Sequence, residues 1–155
     1  MHPRAVELID LLQLQAHPEG GYYRRLYESR ECLPSGRLLA SAIVFLLPAG
    51  QVSRWHRVDA DELWHFYEGA PLELLIADTP AAVERQLLGP VAAQVLPQRL
   101  VRAQAWQAAR TQGDFSLVGC TLAPGFEFAG FALLADEPQV QRDWPLLAAQ
   151  YPELV

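Results

Sequence analysis

The stretch GQVSRWHRVDADELWHFYEG, residues 50–69, decides the fold. It reads as a strand running into His56, a short acidic turn Asp59-Ala60-Asp61, and a second strand beginning at Glu62. Strand ends that flank one turn face each other, and side chains alternate with period two. Arg54, His56 and Val58 are therefore expected on one face, and Glu62, Trp64 and Phe66 on one face of the returning strand. If both are the inner face, His56 and Glu62 converge beside an aromatic wall. Leu63, His65 and Tyr67 then point to the other side of the sheet. The plain alternative is a His–Glu pair that only stabilises its surroundings, since ion pairs in structural roles also perturb each other's pKa values.

Outward from this hairpin the same pattern repeats. From Tyr22 to about Leu134, apolar runs of strand length are cut by turn residues at Pro34–Gly36, Pro48–Gly50, Gly69–Pro71, Asp78–Pro80, Gly89–Pro90, Gly113–Asp114 and Pro124–Gly125. Evenly spaced short strands without intervening helical periods predict an all-β sandwich or barrel, not a doubly wound sheet. Upstream, PRAVELIDLLQL (3–14) predicts a short helix, with Pro3 at its first position and Ala5, Leu8, Ile9 and Leu12 as its apolar stripe. AHPEGGYY breaks it. Downstream, Pro138, Pro145 and Pro152 divide 137–155 into one or two short helical turns expected to pack outside the sheets. No repeat or linker interrupts the chain, so residues 1–155 are expected to form a single domain.

Composition narrows the function classes. The chain has 155 residues, 18 acidic and 12 basic, for a net charge of −6. That balance opposes binding to nucleic acid or to anionic membranes, which need a basic footprint. No apolar run approaches a bilayer span, and Glu7 and Asp10 interrupt any signal-like N-terminus. Two cysteines, Cys32 and Cys120, make no disulfide framework, so a cytoplasmic setting is expected. The chain contains no Lys and no Asn, and all its basic residues are Arg. Schiff-base chemistry through Lys is thereby excluded. There is no G-x-S-x-G elbow, Walker loop or G-x-G-x-x-G.

Gly50, His56, Glu62 and Gly69 match the spacing of the first motif of the cupin superfamily, Gly-x5-His-x-His-x3-Glu-x6-Gly, with Val58 in place of the second His. The second motif aligns near VRAQAWQAA, where Leu96, Arg102, Gln104, Gln107 and Thr111 replace its five marker residues. HPEGGYYRRLY (17–27), AIVFLL (42–47), LG (88–89) and LVGCTLAPGFEF (117–128) add to the likeness. Over about residues 12–134 the chain resembles a small single-domain cupin family of unknown function found in bacteria and fungi. The resemblance implies a double-stranded β-helix, or jelly-roll, barrel with a pocket between its sheets, usually as a homodimer.

Metal-binding cupins ligate through the two His and the Glu of the first motif and the His of the second. Carried over, that leaves His56, Glu62 and, at the last position, Gln107. Val58 cannot ligate, and an amide oxygen is a weak donor for first-row metals. The expectation is therefore no cofactor, with a weakly bound divalent metal as the alternative. Without metal, the His56–Glu62 pair is an acid/base unit in which the carboxylate orients the imidazole. Some cupins, the sugar-nucleotide epimerases among them, resemble this case and use a pocket His as base. Trp64, Phe66 and Gln107 are candidates to hold the ligand, with Tyr23, Arg54 and Phe126 around them. Tyr22, Tyr23 and Tyr27 are candidates for a second acid. Arg24, Arg25, Arg54 and Arg102 can bind an anionic ligand wherever they face inward.

His17 and Glu19 read as a turn bonding its own backbone or a nearby Arg, which the resemblance also allows at the pocket mouth. Trp55 and Trp106 fall off the inward positions and are expected on the outer face or at a subunit contact, with Trp144 anchoring the tail. Three functions stay open: a metal-free isomerase or epimerase on a sugar or keto-acid type ligand, a non-catalytic binding or sensor module, and a weakly metal-dependent oxygenase or isomerase. All three take a small molecule as partner, and fold alone cannot choose among them.

Overall fold

A computed structural model describes residues 1–155. The chain begins with a helix, α1 (Pro3–Leu12), followed by β1 (Gln15–Ala16), β2 (Tyr22–Glu28), β3 (Ser41–Pro48), β4 (Val52–Val58), β5 (Asp61–Gly69) and β6 (Leu72–Thr79). Then come β7 (Ala82–Leu88), β8 (Val95–Leu96), β9 (Gln98–Val101), β10 (Trp106–Thr111), β11 (Phe115–Ala123) and β12 (Phe131–Leu133). Helices α2 (Pro138–Asp143) and α3 (Pro145–Gln150) close the chain with a last short turn, Pro152–Leu154. One sheet has the order β1-β2-β3-β11-β5-β9 and the other β12-β4-β10-β6-β7-β8. All pairs are antiparallel except β7 with β8. This is the jelly-roll arrangement of two facing sheets.

The apolar pattern explains which sheet faces are covered. In β3, Phe45 and Leu47 enter the core between the sheets, while Val44 and Leu46 pack outward beneath Ala5 and Leu8 of α1. A strand buried on both faces needs a continuous apolar run, and AIVFLL is one. Likewise Leu72, Leu74 and Ile76 of β6 point inward, and Leu75 and Ala77 point outward. That second outer face also carries Trp55 and Trp106, as expected. Leu134, Leu147 and Leu154 of the C-terminal segment cover it, with Trp144 packed alongside.

Two local departures from the sequence reading have simple causes. The first helix ends at Leu12 and not at Leu14, because Gln13 adopts a left-handed conformation, φ 53°. The second is a β-bulge in β4. His56 pairs with Gln107 but Ser53 pairs with Ala109, so the β4 side spans one residue more than its partner. A bulge puts two neighbouring residues on the same side. Ser53 and His56 thus face inward together, and Trp55 faces outward. Arg54 leaves the inner face it was expected to share with His56 and Val58, and its guanidinium donates to the Pro18 carbonyl at 2.7 Å.

Candidate active site

A cavity of about 530 Å³, its open mouth included, lies between the two sheets. It is a narrow crevice. His56 and Val58 of β4 line one wall, and Glu62, Cys120 and Leu122 of β5 and β11 line the facing one. His17 and Glu19 close its inner end, while Tyr23, Arg25, Phe126 and Phe128 surround the opening.

Glu19 arrives from a turn, not from a strand. The His17 N–H donates to the Gly21 carbonyl at 3.0 Å, and the Gly20 N–H donates to the His17 carbonyl at 3.0 Å. Gly20 adopts φ 113°, a region that favours glycine. The turn docks on the β4 bulge, because the Glu19 carbonyl accepts the Arg54 N–H at 2.9 Å. Its side chain is thereby driven into the barrel, where Ser53 Oγ donates to Oε1 at 2.9 Å and His56 Nε2 lies 3.2 Å from Oε2.

The partners fix the protons. His56 Nδ1 lies 2.7 Å from the Arg54 carbonyl, which can only accept, so Nδ1 carries the hydrogen. Burial lowers the pKa of His56, against the opposing influence of Glu62 and of that carbonyl. The ring is then neutral, and Nε2 is an acceptor facing Glu19. His17 Nδ1 accepts the Glu19 N–H at 3.3 Å, and burial lowers this imidazole to about 4, with His56 adding to the effect. Burial raises the Glu19 carboxyl to about 8, although the Ser53 hydroxyl and Arg54 pull it down. Near neutral pH, Glu19 is therefore held mainly as a carboxylic acid, with Oε2 3.2 Å from His56 Nε2 and 3.5 Å from His17 Nδ1.

Glu62 occupies the facing wall. Gln107 Nε2 donates to its Oε2 at 2.5 Å. Trp64 Nε1 donates to Gln107 Oε1 at 3.0 Å, which fixes the direction of the amide. Burial raises the Glu62 pKa, while His56, Gln107 and Cys120 act against it. Cys120 is buried and its thiol is pushed well up, so it is a poor nucleophile and serves as a hydrogen-bond donor to Glu62.

The expected site residues thus divide. His56, Glu62, Tyr23 and Phe126 line the cavity; Arg54, Trp64, Phe66 and Gln107 do not. Trp64 and Phe66 point inward as expected but sit in the packed core. Gln107 is fully buried behind Glu62. The expected orienting role of Glu62 toward His56 also needs correction, because the carboxyl in contact with the imidazole is Glu19. The alternation rule could not find Glu19, since it says nothing about a turn. The available signal was an acid placed directly before the Gly20–Gly21 pair.

The degenerate metal set does not fit an ion. Gln107 spends its oxygen on the Trp64 indole and turns its amide nitrogen to Glu62, so it offers no donor atom there. His56 has its two nitrogens directed at Arg54 and Glu19. No three His, Cys, Asp or Glu side chains are placed to hold a metal ion.

Two facing sheets around an acid-lined crevice define a cupin-type barrel. The chain belongs to the family described as Cupin superfamily (DUF985), whose model matches residues 6–134. It is similar in structure to a protein from Shewanella oneidensis, 36% identical, covering 96% of this chain and 94% of that one with a TM-score of 0.87. A hypothetical protein from Leishmania major is 29% identical, with 96% and 93% covered and a TM-score of 0.79. Oxalate decarboxylase from Bacillus subtilis shares the fold alone, at 14% identity and a TM-score of 0.62, over 90% of this chain and 36% of that one. No curated protein matches.

Proposed function

We propose that the crevice binds a small carbonyl compound and moves a proton on the carbon beside the carbonyl, an isomerase-type reaction that needs no metal. The observation that carries this reading is the 3.2 Å contact between His56 Nε2 and Glu19 Oε2 in a cavity lined by both. A neutral imidazole whose Nε2 accepts and a neutral carboxyl, once a ligand parts them, are the two partners an enolisation needs. His56 Nε2 takes the proton as the C–H bond breaks, and Glu19 gives its proton to the carbonyl oxygen. The products are the enol, an imidazolium and a carboxylate. The two charged groups are adjacent, so each offsets the burial cost of the other. Glu62, on the opposite wall, supplies a second carboxyl that can return the proton to the other face.

Ser53, Gln107 and Trp64 are positioning residues in this scheme. The test is deuterium uptake from D2O into a panel of keto acids and sugar nucleotides, followed by NMR. His56→Gln should lower the enzyme-dependent exchange by at least about a hundredfold, the usual worth of a general base. Tight binding of a panel compound with no exchange would instead make the chain a binding or sensor module. Exchange that appeared only on adding a divalent metal, and tracked its stoichiometry, would favour the metal-dependent reading.

A further inference from the structure

Of the four arginines expected to bind an anion wherever they face inward, three are committed elsewhere. Arg24 donates to the Leu12 carbonyl and to Gln13, Arg54 to the Pro18 carbonyl, and Arg102 to Asp61. Arg25 alone lines the crevice. It alternates with Tyr23 along β2, so it occupies an inward position of a barrel strand at the opening. Its guanidinium lies 5.7 Å from the centre of the Phe126 ring. Nη1 donates to Glu28 at 2.7 Å; the rest of the planar fork remains to meet an anion.

The same opening carries a group of three aromatic rings. Phe126 meets Phe128 edge-on at 5.0 Å, and both stand within 6.3 Å of Phe131. Phe128 is 60% exposed although it belongs to the lining. A cation beside exposed ring faces suits a ligand with a negative group and a flat apolar part. The adjoining outer hollow adds Arg24 and Glu127, so with Glu28 the mouth carries two positive and two negative groups. That balance favours a monoanion over a phosphate dianion.

We propose that Arg25 is the anion-binding subsite of the crevice, and that the ligand is a small carboxylate bearing a ring, seated against Phe126 and Phe128. This names the ligand class of the cavity and rests on the proton-transfer reading only in placing the carbonyl toward Glu19. The probes are phenylpyruvate and benzyl methyl ketone, which share the ring, the carbonyl and the acidic C–H but differ in the carboxylate.

Calorimetry should show phenylpyruvate binding more tightly than the ketone. Arg25→Gln should weaken phenylpyruvate about tenfold, the loss of one charge-assisted contact, and leave the ketone unchanged. Arg25→Lys should recover only part of the loss, since an ammonium cannot make the bidentate contact. Equal affinity for the two probes, no binding of either, or an unchanged affinity in a folded Arg25→Gln variant overturns the proposal. If that variant does not fold, the two-probe comparison on the native chain decides. Deuterium exchange is read separately. Carboxylate-dependent binding without exchange keeps the subsite and removes the proton-transfer reading. Exchange of both probes with equal affinity does the reverse.

Discussion

Burial keeps the Glu19 carboxyl protonated to about pH 8, well above its usual range, and that has a consequence for stability. A raised carboxyl binds a proton in the folded chain that the unfolded chain has already released. Its contribution is therefore full below the unfolded value and is lost as pH rises through the folded one. His17, lowered to about 4, works the other way and costs stability as pH falls below its ordinary value. Above about pH 6.5 the unfolded imidazoles no longer bind protons, and the raised Glu19 carboxyl dominates. Urea midpoints should accordingly fall between about pH 6.5 and 8, and Glu19→Gln should flatten much of that slope. An unchanged slope in the variant would mean that Glu19 is ionised in the folded chain. That His56 and Glu62 of the first motif face the same interior was legible from spacing, but their protonation was not, because it depends on Glu19, Ser53 and the Arg54 carbonyl meeting at His56.

At the level of elements, the site hangs on the turn before β2. A Cβ added to Gly20 would overlap the Val52 carbonyl oxygen, and the residue would also have to hold φ 113°. Gly20→Ala should thus cost on the order of 2–4 kcal/mol in chemical denaturation and should displace Glu19 from His56. NMR of the His56 ring would report the second effect. The strands themselves were readable: Glu62, Trp64 and Phe66 do alternate inward against Leu63, His65 and Tyr67. The reading failed at Arg54 because a bulge carries no composition signal of its own and resets the alternation by one residue. It failed at Trp64 because inward means toward a core, and only part of an inner face reaches the cavity.

For the molecule as a whole, evenly spaced turn residues made the barrel legible, while the covering of its outer faces was less so. Continuous apolar runs in β3 and β6 report strands buried on both sides, yet they do not say what lies over them. The C-terminal segment fills that role on one side, with Leu147 only 1% exposed. Leu147→Ala should cost about 2–4 kcal/mol by opening a cavity above the sheet. Intrinsic fluorescence should register the loosening at Trp55 and Trp106, and unchanged stability would show that the segment contributes little. The jelly roll also holds His56 and Glu62 on different sheets, like the two jaws of a caliper. Phe45 and Leu74 pack in the core between those jaws and lie outside the crevice lining. Evolution or an engineer can therefore change the girth of molecule this protein accepts by exchanging interior side chains, with every reactive group left as it is.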